Sequence, residues 1–451
     1  MASSNLPGRN ALPVMCDECH RLSPEPLRQS LLLLAVCITG SAMLVPAKAL
    51  GDEFHYRDIL IGDRAAGMGG AYTAVSDDTA GLYYNPAGIV HAGDRNLSGS
   101  VNAWHETSTT YRDVLGDDDW RRDSAALIPN FFGIVQPIER GVVGFSFVVT
   151  DLIREDQDQT FTVEEEPWEQ FTINLNDSQT EYKIGPSWAL ELTDDVSIGG
   201  SLYVYFREQE VINNQLVIED FGNGGPPDTE WRYVQDQNDE WGLRPVLGIM
   251  WDVTDQWAIG ASIRGTQIIS ADNYNILICH GSSATDPPDG TREAFLCQEG
   301  EVRHEESESD TRREHPWETR VGVAWFHSPR WMISADFSYH TEHRDVVRGR
   351  TVQATWNAAL GTEYYLNSRW ALRGGIYTNR ANTPSQVERF DHVNYVGGSL
   401  SLARFSRNSS ITLGVAHSQG SGQGQVLPVD RPPQDVRASS TSIFLSSSYN
   451  F

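Results

Sequence analysis

Paired segments that alternate apolar and polar residues run from residue 96 to the end of the 451-residue sequence. In the clearest pair, Ile184 and Trp188 share one face, and Thr193-Asp194 reverses the chain. A period of two is typical of a β-strand with one apolar face, because successive side chains point to opposite sides of a sheet. The alternation therefore predicts an all-β structure built from antiparallel hairpins.

The hairpins follow one another in a regular order, because six tight turns alternate with seven longer polar loops. Short periplasmic turns and longer extracellular loops are typical of outer-membrane barrels. In lipid, every backbone donor and acceptor must be paired within the protein, so a membrane-spanning sheet has to close on itself. We therefore expect a 14-stranded antiparallel transmembrane β-barrel over residues 96–451. The predicted strands lie near residues 96–106, 124–135, 141–152, 179–192, 195–209, 241–253, 256–270, 317–327, 330–342, 353–366, 369–380, 392–405, 409–420 and 438–451.

Aromatic residues mark the expected membrane boundary and the end of the chain. Trp251 and Trp257 flank one tight turn, where amphipathic rings suit the interface between lipid and water. The last strand carries Tyr449 and the final residue, Phe451, on one face. We expect these two residues to form the signal that barrel-assembly machinery recognises. A soluble periplasmic β-protein would also alternate, but it explains neither the loop asymmetry nor this terminal strand.

Residues 1–49 have the pattern of a secretory signal peptide. Arg28 precedes an apolar run that stops at Pro46, and Ala47-Lys48-Ala49 is a typical cleavage site. Met15 is an alternative start of the chain. The apolar run is too short for a membrane anchor, so we expect export to the outer membrane of a Gram-negative cell.

Charge, cysteines and motifs exclude several functions. The formal net charge of −27 argues against nucleic-acid binding, which needs a basic surface. The acidic residues 117–119 are expected to be solvated, and they lack the spacing of a calcium-binding loop, so no metal is predicted. Cys279 and Cys297 remain after signal removal, and an exported protein favours a disulfide between them. No cofactor motif appears, and the missing G-x-S-x-G and H-E-x-x-H patterns argue against an enzyme.

Residues 50–95 do not alternate and are rich in small residues, which favour close backbone packing. Their central part reads RAAGMGGAYTAVSDDTAGLYYNPAGI and contains Asn85-Pro86-Ala87 followed by Gly88. This segment resembles the FadL-type family of outer-membrane transporters for long-chain fatty acids and other hydrophobic compounds. The resemblance implies a barrel plugged by an N-terminal hatch, with Asn85, Pro86, Ala87 and Gly88 in the part that rearranges to let a ligand pass.

The expected function is passive uptake of long-chain fatty acids or other hydrophobic small molecules. Such a ligand would be captured at the extracellular loops, enter an apolar pocket in the lumen and leave past the hatch. Outer-membrane lipids and lipopolysaccharide are the expected surroundings of the barrel. Alternation points four arginines inward, where they either bind a ligand carboxylate or pair with lumen acids. These residues are Arg244, Arg264, Arg320 and Arg373.

Two other functions fit a barrel of this kind. A general diffusion porin shares the architecture but should lack a hatch. A barrel of the same fold could also act as a scaffold or partner-binding component of a secretion system.

Overall fold

The computed structural model describes residues 55–56, 59–92, 95–115, 117–162, 168–219, 227–281, 302–346, 350–383, 391–424, 426 and 433–451. The predicted signal peptide and Cys297 lie outside these residues. Eighteen β-strands occur within the described ranges. They are β1 (Asn96–Leu115), β2 (Asp118–Ile138), β3 (Gly141–Thr162), β4 (Trp168–Thr193), β5 (Val196–Glu219), β6 (Asp228–Thr254), β7 (Trp257–Arg264), β8 (Gln267–Gly281), β9 (Val302–Ser309), β10 (Glu318–Ser328), β11 (Trp331–His340), β12 (His343–Asp345), β13 (Arg350–Val352), β14 (Thr355–Asn367), β15 (Trp370–Asn379), β16 (His392–Phe405), β17 (Ser409–Gly424) and β18 (Gln434–Asn450).

Fourteen of these strands form one closed antiparallel ring, which confirms the predicted barrel. Strands β1 to β7 pair in sequence order, and β10, β11 and β14 to β18 complete the ring. The last strand returns to the first in a ladder that runs from Asn96 opposite Asn450 to Tyr111 opposite Val436. This ladder satisfies backbone groups that would otherwise face lipid, where they would have no partner.

Each predicted tight turn joins two neighbouring strands of the ring. On the opposite side of the barrel the strands run further than predicted, and β4 begins at Trp168 instead of near residue 179. Polar side chains such as Thr160 and Thr172 face outward in these extensions, so the apolar outward face ends while backbone pairing continues. The tight turns lie between Ile138 and Gly141, Thr193 and Val196, Thr254 and Trp257, Ser328 and Trp331, Asn367 and Trp370, and Phe405 and Ser409.

The strand predicted over residues 256–270 is divided in two. β7 ends at Arg264 and pairs with β10, whereas β8 begins at Gln267 and pairs with β6 and β9. The break between the two strands consists of Gly265 and Thr266. A Cβ added to Gly265 would lie 2.8 Å from the ring of Trp317. β9 lies within an acidic stretch of the sequence, residues 301–314, and its side chains are exposed. Because its side chains face solvent, this charged segment can form a β-strand that pairs with β8.

Aromatic side chains cover parts of the outer surface as the sequence predicts for an interface. Trp257 on β7 stacks on Trp325 of β10, with 5.7 Å between ring centroids. At the C-terminus, Tyr449 and Phe451 stack at the same separation, and the Arg95 guanidinium lies 5.3 Å from the Phe451 ring. All five side chains sit near the tight-turn side, where interfacial aromatics favour the lipid headgroups. Recognition of Tyr449 and Phe451 by assembly machinery stays a prediction.

Residues 59–92, here called the hatch, fill the lumen of the ring. They form helix α1 (Asp63–Gly67), helix α2 (Gly81–Tyr84) and a 3₁₀-helix (Pro86–Ala92), and most of their side chains are buried. After α1 the chain turns through Gly69 and Gly70 with φ angles of 65° and 78°, a conformation that favours glycine. Among the residues that the structure describes, no helix is long and apolar enough to cross a membrane.

Glycines in the wall allow the hatch backbone to approach the strands directly. A Cβ on Gly248 would lie 2.0 Å from Oδ1 of Asn85, and one on Gly260 would lie 2.2 Å from the Thr73 carbonyl oxygen. A Cβ on Gly375 would lie 2.2 Å from the Met68 carbonyl carbon. We call the wall glycines that meet the hatch the glycine belt. Its members are Gly199, Gly248, Gly260, Gly322, Gly361 and Gly375, on β5, β6, β7, β10, β14 and β15.

We expect Gly375→Val to force the hatch away from β15, because the added side chain would overlap the hatch backbone. Overpacking of this kind costs about 1–3 kcal/mol. Gly374→Val is the matched control, because its Cβ would face outward and the nearest heavy atom, the Ser399 carbonyl oxygen, would be 3.8 Å away. Planar-bilayer recordings should show higher conductance for Gly375→Val than for Gly374→Val. Equal conductance would mean that the belt does not hold the hatch in place.

Candidate functional site

The Asn85–Gly88 segment fastens the hatch to β5 and β6. The Asn85 side chain donates from Nδ2 to the carbonyl oxygens of Thr73 (2.9 Å) and Ile249 (3.0 Å). Its Oδ1 accepts a hydrogen bond from the Ala87 N–H at 3.2 Å. Pro86 begins the 3₁₀-helix, where its fixed φ and missing N–H are tolerated. A role for these residues in gating stays a prediction.

Gly88 is required by packing. A Cβ at this position would lie 2.6 Å from the Met250 side chain and 2.6 Å from Ser76. Gly88 therefore lets the 3₁₀-helix fit between the wall and the rest of the hatch. Close approach to the wall and to Ser76 therefore accounts for a glycine at this position.

A group of charged residues holds the hatch on the side nearer the tight turns. Nη2 of Arg64 lies 2.7 Å from Glu363 of β14, and Arg64 also pairs with Asp77. Arg373 of β15 donates from Nε to Glu363 at 2.7 Å and lies 3.4 Å from Asp63. We call these five residues the periplasmic cluster. Because each cation contacts two carboxylates, the cluster joins the hatch to two wall strands.

A second group of charged residues centres on Glu318 at the start of β10. The Glu318 carboxylate pairs with Arg320, lies 3.1 Å from Nη2 of Arg244 and lies 3.7 Å from Nε of Arg264. His340 is 3.6 Å away. We call this group the extracellular cluster, because Glu318 lies at the end of β10 away from the tight turn. One buried carboxylate therefore serves three arginines.

The extracellular cluster also contacts the hatch. Arg264 donates from Nη2 to the Tyr84 carbonyl oxygen at 2.8 Å, and its guanidinium lies 5.1 Å from the Tyr83 ring centre. The Arg320 guanidinium lies 5.4 Å from the Tyr84 ring centre. Cation–π contacts of this kind are stronger when both partners are removed from water. The two tyrosines are thus held against the wall by charge as well as by packing.

The four arginines predicted to face the lumen do so, and all four pair with acids. Arg244, Arg264 and Arg320 converge on Glu318, and Arg373 contacts Glu363. These contacts are the second of the two alternatives that the sequence allowed. Binding of a ligand carboxylate by these arginines stays a prediction.

Asp336 on β11 is a hatch contact whose role the sequence did not indicate. Its Oδ2 accepts hydrogen bonds from the backbone N–H groups of Tyr72 (3.1 Å) and Thr73 (2.9 Å) and from the Thr73 hydroxyl (2.6 Å). Alternation places Asp336 on the lumen face, but only the folded chain brings the Thr73 backbone to it. Ionised carboxylates form stronger hydrogen bonds than neutral acceptors, so this contact anchors the hatch to β11.

A cavity of about 150 Å³ lies on the extracellular side of the hatch. The lumen pocket expected from the sequence was apolar, but charged and polar side chains dominate this lining. The reason is that the cavity is bordered by the polar faces of β3 to β6 and β10. Tyr83 of the hatch forms part of its floor, and Tyr56 stacks on His340 with ring centres 4.2 Å apart. The charged lining residues are Asp151, Glu181, Lys183, Arg207, Arg244, Arg313, Glu314, Glu318 and Asp345.

Apolar side chains pack inside the extracellular extensions instead. Tyr111 and Trp120 stack at 5.2 Å, and Phe161 and Phe171 stack at 6.0 Å. They belong to one buried cluster that also includes Val393. This cluster gives the extracellular end of the barrel an apolar interior, beyond the charged cavity.

The predicted metal and disulfide sites can be compared with the structure only in part. Within the described ranges, no group of three or more His, Cys, Asp or Glu side chains is placed to hold a metal ion. Residues 117–119 are exposed where they are described, at the start of β2. Cys279 is buried on β8, and its expected partner Cys297 lies outside the described residues. The disulfide stays a prediction.

A family model described as "Outer membrane protein transport protein (OMPP1/FadL/TodX)" matches residues 59–389, from the hatch to the strands of the second half of the barrel. The chain belongs to this family. It is therefore an outer-membrane β-barrel and a transport protein, not an enzyme. The resemblance to this family that was noted for the segment containing Asn85-Pro86-Ala87, the NPA segment, is confirmed.

Solved structures show the same fold at low sequence identity. The P. putida toluene transporter TodX is similar with a TM-score of 0.60 and 16% identity, covering 86% of this chain and 98% of its own. A Pseudomonas aeruginosa FadL homologue has a TM-score of 0.57 and 14% identity, covering 90% and 100%. The CymD monoaromatic hydrocarbon channel has a TM-score of 0.54 and 14% identity, covering 87% and 97%. No curated protein sequence gives a match.

We expect Glu318→Gln to loosen the extracellular side of the hatch. The substitution leaves Arg264 and Arg320 buried without their shared counter-charge, which costs about 3–5 kcal/mol for a buried pair. Glu191→Gln is the control, because Glu191 is an exposed acid on β4. The temperature at which the folded barrel unfolds on semi-native gels should fall for Glu318→Gln and remain unchanged for Glu191→Gln. A Glu318→Gln barrel as heat-stable as the wild type would refute the proposed role of this carboxylate.

Hatch docking should also depend on pH through Asp78. Burial raises the pKa of its carboxyl group from 3.8 to about 6, and Asp77 and Asp63 add to the increase. Because the docked form binds the proton more tightly, docking is strongest below pH 4 and weakens as the pH rises towards 6. The difference is at most about 3 kcal/mol.

Asp78→Asn tests this dependence, because asparagine keeps the Oδ1 acceptor that binds the Ala80 N–H at 2.8 Å. Wild-type conductance in planar bilayers should be higher at pH 7.5 than at pH 4.5. The variant should have low conductance at both values. If wild type and variant respond equally to pH, another group is responsible.

Proposed function

We propose that this barrel carries small hydrophobic molecules passively across the outer membrane, and that movement of the hatch opens the route. The observation that carries the proposal is the filled lumen: residues 59–92 occupy the inside of a transport barrel. A ligand can therefore pass only if hatch contacts are broken. The names of similar structures support the ligand class, because TodX is a toluene transporter and CymD is a monoaromatic hydrocarbon channel.

The type of contact between hatch and wall supports movement of the hatch. Wall hydroxyls donate to hatch carbonyl oxygens, as from Ser197 to Ala87 (2.9 Å) and from Ser334 to Ala71 (2.5 Å). Each neutral hydrogen bond contributes only about 0.5–1.5 kcal/mol net, because water can replace the lost partner. These polar contacts can thus be exchanged for water at lower cost than the apolar contacts that the hatch also makes with the wall.

The cavity favours a small ligand over a long-chain fatty acid. A space of about 150 Å³ can hold a molecule the size of benzene. A long acyl chain would have to extend beyond it, towards the apolar cluster around Phe161 and Phe171. Long-chain fatty acids therefore remain the second candidate. A general diffusion porin fits less well, because a hatch blocks the aqueous path.

A disulfide between hatch and wall tests whether the hatch must move. The hydroxyls of Thr79 in the hatch and Ser98 on β1 are in hydrogen-bond contact, so Thr79→Cys with Ser98→Cys would place two sulfur atoms within bonding reach. We expect uptake of radiolabelled toluene by a host cell to fall to background when this pair is oxidised. Reductant should restore the uptake.

Two controls make the test specific. Ser410→Cys with Ser448→Cys joins β17 to β18 through hydroxyl positions 2.7 Å apart and does not touch the hatch. Wild-type cells with and without reductant control for effects on the native cysteines. Undiminished uptake by the oxidised Thr79–Ser98 pair would show that transport does not require the hatch to leave β1.

A further inference from the structure

Arg207 on β5 is a buried cation in the wall of the cavity. Only 4% of its surface is exposed. Nη2 donates to the amide oxygens of Gln179 (2.5 Å) and Gln209 (2.8 Å), which are both neutral. Nη1 is buried and has no hydrogen-bond partner among the described residues. A charge removed from water normally needs an opposite charge and a full set of hydrogen bonds, so this guanidinium lacks an anion.

The carboxylates beside Arg207 are already engaged by other groups. Strand pairing sets Arg207 opposite Glu181 on β4 and Glu240 on β6. Glu181 pairs with Lys183, and it also accepts hydrogen bonds from the hydroxyls of Thr150 (2.6 Å) and Tyr205 (2.9 Å). These three donors occupy both of its carboxylate oxygens.

Glu240 is engaged in the same way. Arg313 binds it through two parallel hydrogen bonds of 2.7 and 3.0 Å, and His315 lies 3.6 Å away. This bidentate geometry uses both oxygens of the carboxylate. A third carboxylate, Asp151, contacts the amide nitrogen of Gln179, so Arg207 reaches it only through that neutral amide. Among the described residues, none of these three acids lies within ion-pair distance of Arg207.

The other arginines that line the cavity provide a direct comparison. Arg244 pairs with Glu318, and Arg313 pairs with Glu240. Of the three, Arg207 alone has no carboxylate within ion-pair distance among the residues that the structure describes. An incoming anion would meet the least competition at its Nη1.

The remaining lining indicates what the anion should be attached to. Tyr56, Tyr83 and Tyr205 contribute aromatic rings to the cavity, and aromatic rings pack favourably against other rings. The volume of about 150 Å³ suits a single ring. We propose that the cavity binds a small aromatic carboxylate, with its carboxylate on Arg207 and its ring among these tyrosines. This inference rests on the proposed function and narrows its ligand class to anionic aromatics.

Calorimetry on the purified full chain in detergent tests the site with benzoate and benzamide, which have nearly the same size and differ in charge. A charged hydrogen bond favours benzoate by about 10- to 100-fold in affinity. Arg207→Gln should reduce benzoate binding to the benzamide level. Arg121→Gln should keep the preference, because Arg121 is an exposed arginine on β2 that does not line the cavity.

Gln179→Glu gives a second test that leaves Arg207 in place. A carboxylate at position 179 would supply an internal partner for Arg207, and benzoate binding should again be lost. Semi-native gels confirm that each variant is folded. Equal binding of benzoate and benzamide by the wild type would overturn the proposal, as would a benzoate preference that survives both Arg207→Gln and Gln179→Glu.

The result can be separated from the test of hatch movement. Toluene uptake that depends on the Thr79–Ser98 pair, together with absent benzoate binding, would refute the Arg207 site and leave the proposed function standing. Benzoate binding through Arg207, together with toluene uptake that is unchanged when the Thr79–Ser98 pair is oxidised, would support the Arg207 site and refute the proposed movement of the hatch.

Discussion

Closure of the backbone hydrogen-bond ladder is the constraint on which the other features of this molecule depend. In lipid the pairing of β18 with β1 satisfies the strand edges that water satisfies in a soluble protein. Closure with fourteen strands also sets the diameter of the ring, which grows with strand number. A lumen of this width cannot be filled by wall side chains alone, and residues 59–92 occupy it.

The hatch is held by close approach, by charge and by apolar packing against the wall. The glycine belt lets hatch backbone lie directly on the strands, so polar backbone groups of the hatch reach wall donors and acceptors. The periplasmic and extracellular clusters then hold it from two sides through Glu363 and Glu318. Such contacts give one well-defined position, and each can be exchanged for water. This combination is compatible with the proposed movement of the hatch.

The charged cavity links this arrangement to selectivity. Most of its charges cancel in pairs, so the wall can be polar without leaving isolated ions. Among the three arginines that line the cavity, Arg207 is the one with no carboxylate at ion-pair distance in the described part of the chain, and the proposed anion site depends on it. Because Tyr83 belongs both to the cavity floor and to the contacts of Arg264, a ligand in the cavity would touch the part of the hatch that the extracellular cluster holds. Ligand binding and hatch release would then share the same residues.

The sequence by itself determined the fold and the family. Period-two alternation, the six tight turns and the NPA segment are local patterns, and each can be read without knowing what the strands pack against. The contacts of the lumen depended on tertiary structure. Alternation placed Arg264, Arg320 and Arg373 inside, but their partners lie on other strands and in the hatch, at separations that no local pattern encodes. The same holds for Gly248 and Gly375, which look like ordinary strand glycines until the hatch backbone is seen against them. Only the closed barrel decided which inward charges pair within the described part of the chain, and it left Arg207, in the proposed anion site, without a carboxylate at ion-pair distance.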